Sequence, residues 1–231
     1  MGRSRDWGAA VADLILGRCC AGCDRPGRNL CVDCSAALRP RVRLQTRLRL
    51  DDVAPGVGVP VITPLDYAGA GRQILYRFKD HADLSLTRPL AIALAVALTD
   101  AGASDDGAAR IAIPVPSRRV ARRTRGFTPI DRVLEQAIHL GALPLRIHRC
   151  LLDSRVTGAD KSLGGADRQA SVAGAFHVRG APPTGAAILV DDVVTTGATL
   201  REAAATLMHA GVHLTAAVAL AGTPSVGVRR R

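Results

Sequence analysis

Two groups of residues in this chain have types and spacings that can do chemistry. The first is the run Ala187-Ile188-Leu189-Val190-Asp191-Asp192-Val193-Val194-Thr195-Thr196-Gly197-Ala198-Thr199-Leu200. An apolar stretch delivers two adjacent carboxylates, and a turn of small residues leads directly into a helical pattern. Backbone N–H groups in such a turn, the hydroxyls of Thr195, Thr196 and Thr199, and the positive end of the following helix make a cradle for a monophosphate. Gly197 lets the backbone approach that phosphate with no Cβ in the way. Carboxylates beside a phosphate repel it unless they bind something else. A vicinal diol suits them, because each carboxylate can accept hydrogen bonds from hydroxyls, and a divalent metal can share the same oxygens. The chemistry implied is capture of a sugar phosphate by both of its ends.

The second group is Cys20-Ala21-Gly22-Cys23 and Cys31-Val32-Asp33-Cys34, two CxxC pairs seven residues apart, with Gly22 and Gly27 placed to allow tight knuckles. Four thiolates at this spacing suit a tetrahedral zinc ion held for structure, since four protein ligands leave no open position for catalysis. Two disulfides are the alternative, disfavoured in a reducing compartment. Cys19 is a substitute ligand by position, and Cys150, on an apolar run, reads as a core thiol.

Positioning the carboxylates requires a particular architecture. A continuous apolar run such as residues 187–190 is the signature of a strand buried on both faces of a parallel sheet, and ligands of such sheets bind at the carboxyl ends of the strands. Helical spacing appears over residues 69–79 (Ile74, Leu75 and Phe78 on one side), over 84–101 as a long apolar helix buried on most sides, over 129–140 with Thr128 as cap and Pro129 in the first turn, and over 198–210 with Gly211 as stop. Residues 110–115 and 214–220 read as further strands. Alternation of this kind predicts an α/β fold: an open parallel sheet flanked by helices. A helix around residues 7–16, the cysteine segment, and an arginine-rich connector over 41–60 with no apolar period precede it. The division expected is 1–40 for the helix and zinc module, 41–60 for the connector, 61–224 for the α/β domain and 225–231 for a basic tail.

Other folds that place paired acids at a strand end do not fit. A receiver domain needs a lysine after its acids, and none follows Asp192; a P-loop needs Gly-Lys-Ser/Thr, whereas the Lys161-Ser162 pair follows Asp160 outside any strand pattern. An ordinary buried strand and helix would give no reason for two consecutive acids beside a Thr-Thr-Gly-Ala-Thr turn.

Residues 187–199 resemble, position by position, the motif of type I phosphoribosyltransferases that binds 5-phosphoribosyl-1-diphosphate (PRPP). The resemblance implies that Asp191 and Asp192 hold the ribose hydroxyls and that the segment from Val193 and Val194 through Thr199, including Ala198, holds the 5′-phosphate. Over nearly the whole chain the sequence is similar to the ComF family of competence-associated phosphoribosyltransferase-like proteins: in the double cysteine pair, in residues 67–79 (YAGAGRQILYRFK), in 114–127 (PVPSRRVARRTRGF) and in the stretch to Phe176. By that likeness Ser117 and Arg118, after a strand ending in Pro114-Val115-Pro116, belong to a second loop for the diphosphate. Residues 153–176 resemble a closing lid, with Thr157, Leu163, Arg168 and Phe176 in place, and Arg168 joins the two aspartates as a catalytic residue. Thr128 stands where the family has Asn, Asp160 where it has Gln and Ser171 where it has Asn. The resemblance implies structural Zn²⁺, Mg²⁺ carried with PRPP, and a cytoplasmic role in DNA uptake at the inner face of the membrane, beside helicase or recombination proteins. The expected function is therefore a phosphoribosyltransferase that transfers or binds a phosphoribosyl or nucleotide group. The alternative is a non-catalytic handler of single-stranded DNA, to which the altered lid and the arginine-rich cysteine arm would be suited.

Bulk properties agree with this range. The chain has 231 residues, 48% of them apolar, enough for a packed core. Its net charge of +11 points to polyanionic partners, while 3% aromatics leave few stacking platforms for bases. Residues 1–50 hold ten Arg against four Asp, and 110–125 hold six Arg and no acid. Of the 31 basic residues only Lys79 and Lys161 are lysine. The opening segment lacks the plan of a signal peptide, and the apolar runs, such as residues 90–98, fall short of the ~20 residues that span a bilayer, so no transmembrane segment is expected.

Overall fold

The apolar runs around residues 187–190 and 214–221 become the two central strands of the molecule, because side chains on both of their faces are covered by other elements. The computed structural model describes residues 19–56, 58–103, 110–116, 128–141, 143–153 and 174–224. Strands β8 (Ala186–Val194) and β9 (His213–Gly222) pair in parallel over almost their full length. Outward from β8 come β4 (Arg110–Pro114) and β5 (Leu145–Ile147), also parallel. On the other side β9 is joined in parallel by β2 (Gly58–Thr63) and by the short β3 (Leu65–Asp66). An antiparallel edge strand, β1 (Arg43–Arg49), completes a seven-stranded sheet in the order β1-β2-β9-β8-β4-β5, with β3 beside β9. The predicted open, mostly parallel α/β architecture is the one observed.

Alternate residues of β8 serve different layers, as a pleated strand requires. Ile188 and Val190 pack under helices α2 (Gly69–Asp80), α3 (Thr87–Leu98) and α4 (Pro129–Gly141), where Phe78, Leu94 and Leu134 are fully buried. Ala187 and Leu189 meet α5 (Ala198–His209) through Leu200, Ala203, Ala204 and Leu207. The α5 side also carries a two-stranded antiparallel ribbon of β6 (Leu151–Asp153) and β7 (Phe176–Val178), with Cys150 and Phe176 buried beneath it. A single helical turn, α1 (Val32–Ser35), lies in the cysteine segment.

Helix ends follow the sequence signals. Pro129 opens α4, with the Thr128 carbonyl accepting from the Arg132 N–H. Gly211, at φ 85°, closes α5 with the paired bonds of a left-handed stop: its own N–H donates to the Met208 carbonyl and that of Val212 to Leu207.

One local expectation is corrected. The stretch 41–60, expected to be a connector, contains β1 and half of β2, a hairpin built into the sheet. Its apolar period is hidden because β1 is an edge strand that buries only Leu48 and leaves Arg47 and Arg49 exposed. The apolar helix starting near residue 84 is buried on most sides, as expected, with Leu90, Ala91, Ala93, Leu94, Ala97 and Leu98 enclosed, while Ile92 and Val96 on its open side lie 45% and 42% exposed. As a continuous helical stretch, Leu84–Gly102 has 19 residues and a mean hydropathy of 1.4, long and apolar enough to cross a membrane by those measures alone; half of it is buried against the rest of the protein.

Candidate functional site

Strand β8 does not stop at Val190 but carries Asp191, Asp192, Val193 and Val194 before the chain turns. Parallel pairing holds this end in register, with Asp191 opposite Ala219 and Val194 opposite Gly222. Asp191 is buried, one of few polar side chains so placed among the described residues, and its Oδ1 accepts the backbone N–H of Asp192 at 2.8 Å. Asp192 is three-quarters buried and its Oδ2 lies 2.6 Å from the Lys79 ammonium. Burial pushes the Asp191 carboxyl up to about 7, and the neighbouring Asp192 adds to the rise; the Asp192 N–H and the Lys79 charge oppose it. Burial acts to neutralise Lys79 as well, but the attraction of Asp192 and then Asp191 outweighs it and holds the ammonium above its usual range.

Helix α2 is what brings Lys79 there. It starts at the carboxyl end of the sheet, where Tyr67 donates its N–H to the Gly222 carbonyl, and it reaches β8 by its last turn. Gly71 permits that start, since a Cβ at this position would stand 2.6 Å from the Asp66 carbonyl oxygen. Lys79 was not among the residues expected at the site. A signal for it existed: in a chain whose basic residues are otherwise almost all arginine, one of two lysines falls at this position.

Beyond Val194 the loop exposes Thr195 and Thr196, and Gly197 takes a left-handed φ of 78° before α5 begins. Gly197 sits at the cap position and supplies no side-chain acceptor to the first turn; among its N–H groups, that of Ala198 leans 3.4 Å from the Thr196 hydroxyl. Thr199 is half-buried in that turn. The geometry is that of an anion cradle: an exposed pair of threonines, their hydroxyls and a helix N-terminus whose cap residue is a glycine with no side chain to offer. A chain of hydrogen bonds holds it from beneath. Thr223 donates its N–H to the Val194 carbonyl and its hydroxyl to the Thr195 carbonyl, while Gln45 of β1 donates to the Thr223 carbonyl at 2.6 Å. Leu48, also of β1, lies beside Gly197. Nothing in the local sequence of Gln45 or Thr223 marks this role, which exists only through strand pairing.

Strand β4 ends at the same edge. Pro114 is in register with Val190, and the Val115 N–H donates to the Val190 carbonyl at 2.8 Å, so the chain leaves β4 next to the carboxylates. Ser117 and Arg118, expected in the second anion loop, and Arg168, Asp160 and Ser171 of the expected lid lie outside the described residues. Phe176 is described and is buried in β7, as part of the core. The residues brought together are thus Asp191, Asp192, the loop from Val193 to Thr199, and Lys79. Asp192 and Asp191 are a poor ligand pair for a divalent cation, because the ammonium of Lys79 already pairs with Asp192 Oδ2 and Asp191 Oδ1 receives a backbone N–H.

The four paired cysteines converge. The Sγ atoms of Cys20, Cys23, Cys31 and Cys34 all lie within 4.8 Å of one another, with Cys23 and Cys31 at 3.8 Å. A tetrahedron with Zn–S bonds of ~2.3 Å has edges of about 3.8 Å, so the group can hold a metal ion such as zinc. All four are free thiols, not two disulfides. Backbone N–H groups of Gly22 and Cys31 point at the Cys20 sulfur and that of Cys34 at Cys31, which favours thiolates. Burial raises the Cys20 thiol, yet these donors bring it down to about 6, whereas burial and the adjacent sulfurs push Cys34 upward. Cys19 is outside the group, and Cys150 is a buried thiol of the α5-side core.

This cluster is docked, not tethered. Cys20, Ala21, Cys34 and Leu38 belong to the same buried core as α2, α3 and α4. A Cβ on Gly22 would meet Cys34 Sγ at 2.7 Å and Ala70 of α2 at 3.3 Å, so glycine is what lets the knuckle close on the helix. Arg77 of α2 pairs with Asp24, and Asn29 bonds Ser85. No protein-family model and no curated protein matches the chain.

Proposed function

We propose that the chain binds PRPP, or a nucleotide with the same ribose phosphate, at the carboxyl edge of its sheet, and that it acts as a cytoplasmic phosphoribosyltransferase-like protein of the ComF type. One observation carries the reading: two adjacent carboxylates at the end of a central parallel strand open directly onto an exposed pair of threonines and a helix whose cap residue is a left-handed glycine. Asp191 and Asp192 accept from the ribose hydroxyls, and Thr195, Thr196, Thr199 and the N–H groups from Gly197 onward take the 5′-phosphate. In transfer, a nucleophile bonds to C1 of the ribose as the C1–O bond to diphosphate breaks, and the diphosphate leaves with both electrons. Ser117 and Arg118 serve the diphosphate, Arg168 the closing lid, and any Mg²⁺ arrives on the diphosphate. The cysteine group holds structural zinc.

A second reading, binding of single-stranded DNA without turnover in DNA uptake, is favoured by the exposed Arg39 and Arg41 before the edge hairpin and Arg47 and Arg49 on it. Calorimetric titration of PRPP with Mg²⁺, and separately of a short single-stranded DNA across a salt series, distinguishes the two. Saturable PRPP binding that disappears in Asp191→Asn/Asp192→Asn supports the first. Absence of PRPP binding beside DNA binding that weakens steeply with salt would discard it in favour of the second.

A further inference from the structure

Asp192 carries a cation supplied by the chain itself. Lys79 Nζ lies 2.6 Å from Asp192 Oδ2, and both side chains are three-quarters buried, at 25% and 24% exposure. The contact is not that of a loose surface lysine. Its neighbour Phe78 is fully buried, the preceding turn is tied to the cysteine cluster by Arg77–Asp24, and the start of α2 is clasped by Gly22 against Ala70. The ammonium therefore arrives on a helix fixed at both ends.

A divalent cation would compete for the same carboxylate. Mg²⁺ requires a near-octahedral oxygen shell at ~2.0–2.1 Å and gives up its water reluctantly. Bound to Asp192, it would meet a second positive charge only a few ångströms away, in surroundings that screen poorly. Asp191 is no better placed for a cation, since one of its oxygens receives the Asp192 N–H and an ion on the other would face the same Lys79 charge, with which this carboxylate already interacts. Three donors on an ammonium, by contrast, can hold Asp192 and still reach a ribose hydroxyl.

Granted the sugar-phosphate reading above, on which this rests, we infer that Lys79 replaces a divalent cation at the carboxylate pair, so that the ribose phosphate part of the ligand is held without Mg²⁺. Lys79 is then a binding residue for the sugar end, and metal enters only with a diphosphate. The high affinity of Lys79 for its proton, driven by the two aspartates against the cost of burial, keeps the charge in place at neutral pH.

Ribose 5-phosphate tests this directly, since it has the hydroxyls and the phosphate but no diphosphate. It is titrated calorimetrically into the metal-loaded protein in resin-treated buffer without chelator, so that the thiolate-bound metal stays, with and without MgCl₂. Wild type is expected to bind equally well in both, to within about twofold, and Lys79→Met to lose about tenfold without Mg²⁺ and regain most of it with Mg²⁺. Lys79→Arg, which keeps the charge, remains independent of Mg²⁺. With no sugar present, Mn²⁺ followed by electron paramagnetic resonance binds Lys79→Met about tenfold more tightly than wild type. Lys79→Gln replaces the methionine variant if the latter does not fold, and the wild-type comparison decides without either. Binding by wild type only with Mg²⁺, or undiminished metal-free binding by Lys79→Met, overturns the inference and leaves the sugar-phosphate reading intact. Failure of every form to bind ribose 5-phosphate in either buffer overturns both.

Discussion

Replacing Gly197 by alanine isolates what the turn before α5 contributes to phosphate binding. Space is not the obstacle, for an added Cβ would lie 3.6 Å from Leu48 Cδ2 and 3.9 Å from Val194 Cγ2, ordinary contact distances. Conformation is: Gly197 has φ 78°, and an L-residue there costs ~1–2 kcal/mol. Gly197 itself is buried but the adjoining Thr195 and Thr196 are exposed, so the cheapest response is for the loop to shift and leave the left-handed region. A phosphate that needs the original turn must then restore it, which weakens binding by roughly 5- to 30-fold. Gly211 provides the control, as it has φ 85° at the opposite end of the same helix with open space around it. There the two closing hydrogen bonds hold the turn, so Gly211→Ala keeps the strain and lowers the melting temperature by about 2–8 °C while leaving binding unchanged. Titration of ribose 5-phosphate and thermal melts of both variants give the comparison. If Gly197→Ala binds as wild type does and melts as Gly211→Ala does, the turn is not the phosphate cradle.

Two further outcomes follow from the geometry. The Asp191 carboxyl titrates near 7 in the folded chain against 3.8 for the free group, so between those values the folded state holds a proton that the unfolded state has lost. Stability therefore falls as pH rises from about 4 to about 7, and Asp191→Asn, which cannot ionise, should gain melting temperature over wild type by more at pH 8 than at pH 5; an equal gain at both would place the titration elsewhere. At the cysteine cluster, Gly22→Ala drives a methyl into Cys34, 2.7 Å from its sulfur, and should lower zinc affinity by about tenfold or more against a competing chelator. Unchanged affinity would mean that the knuckle does not close on α2 as described.

Much of the site was legible because it is local. The apolar strand, its two acids, the left-handed glycine and the helix behind them lie in one run from residue 186 to 209, and strand, turn and helix each have their own short-range signature. The cysteine spacing was equally readable, since ligands within a short loop can converge only in a few ways. Helices α2 and α4 showed their buried faces through Ile74, Leu75, Phe78, Val133 and Leu134.

Tertiary structure alone decided what crosses between those segments. An edge strand of arginines has no apolar alternation to reveal it, so the hairpin of β1 and β2 read as a connector until its partners were seen. Gln45 reaches Thr223 across 178 residues of sequence, and Lys79 meets Asp192 only because α2 returns along the carboxyl edge of the sheet. The burial that shifts Asp191, and the core shared by Cys20 and Cys34 with three helices, depend on packing between elements distant in the chain. Composition and periodicity describe the surface that each element needs to cover; the identity of the element that covers it is set by the summed contacts of the whole fold, and that sum selected a lysine for the carboxylate pair.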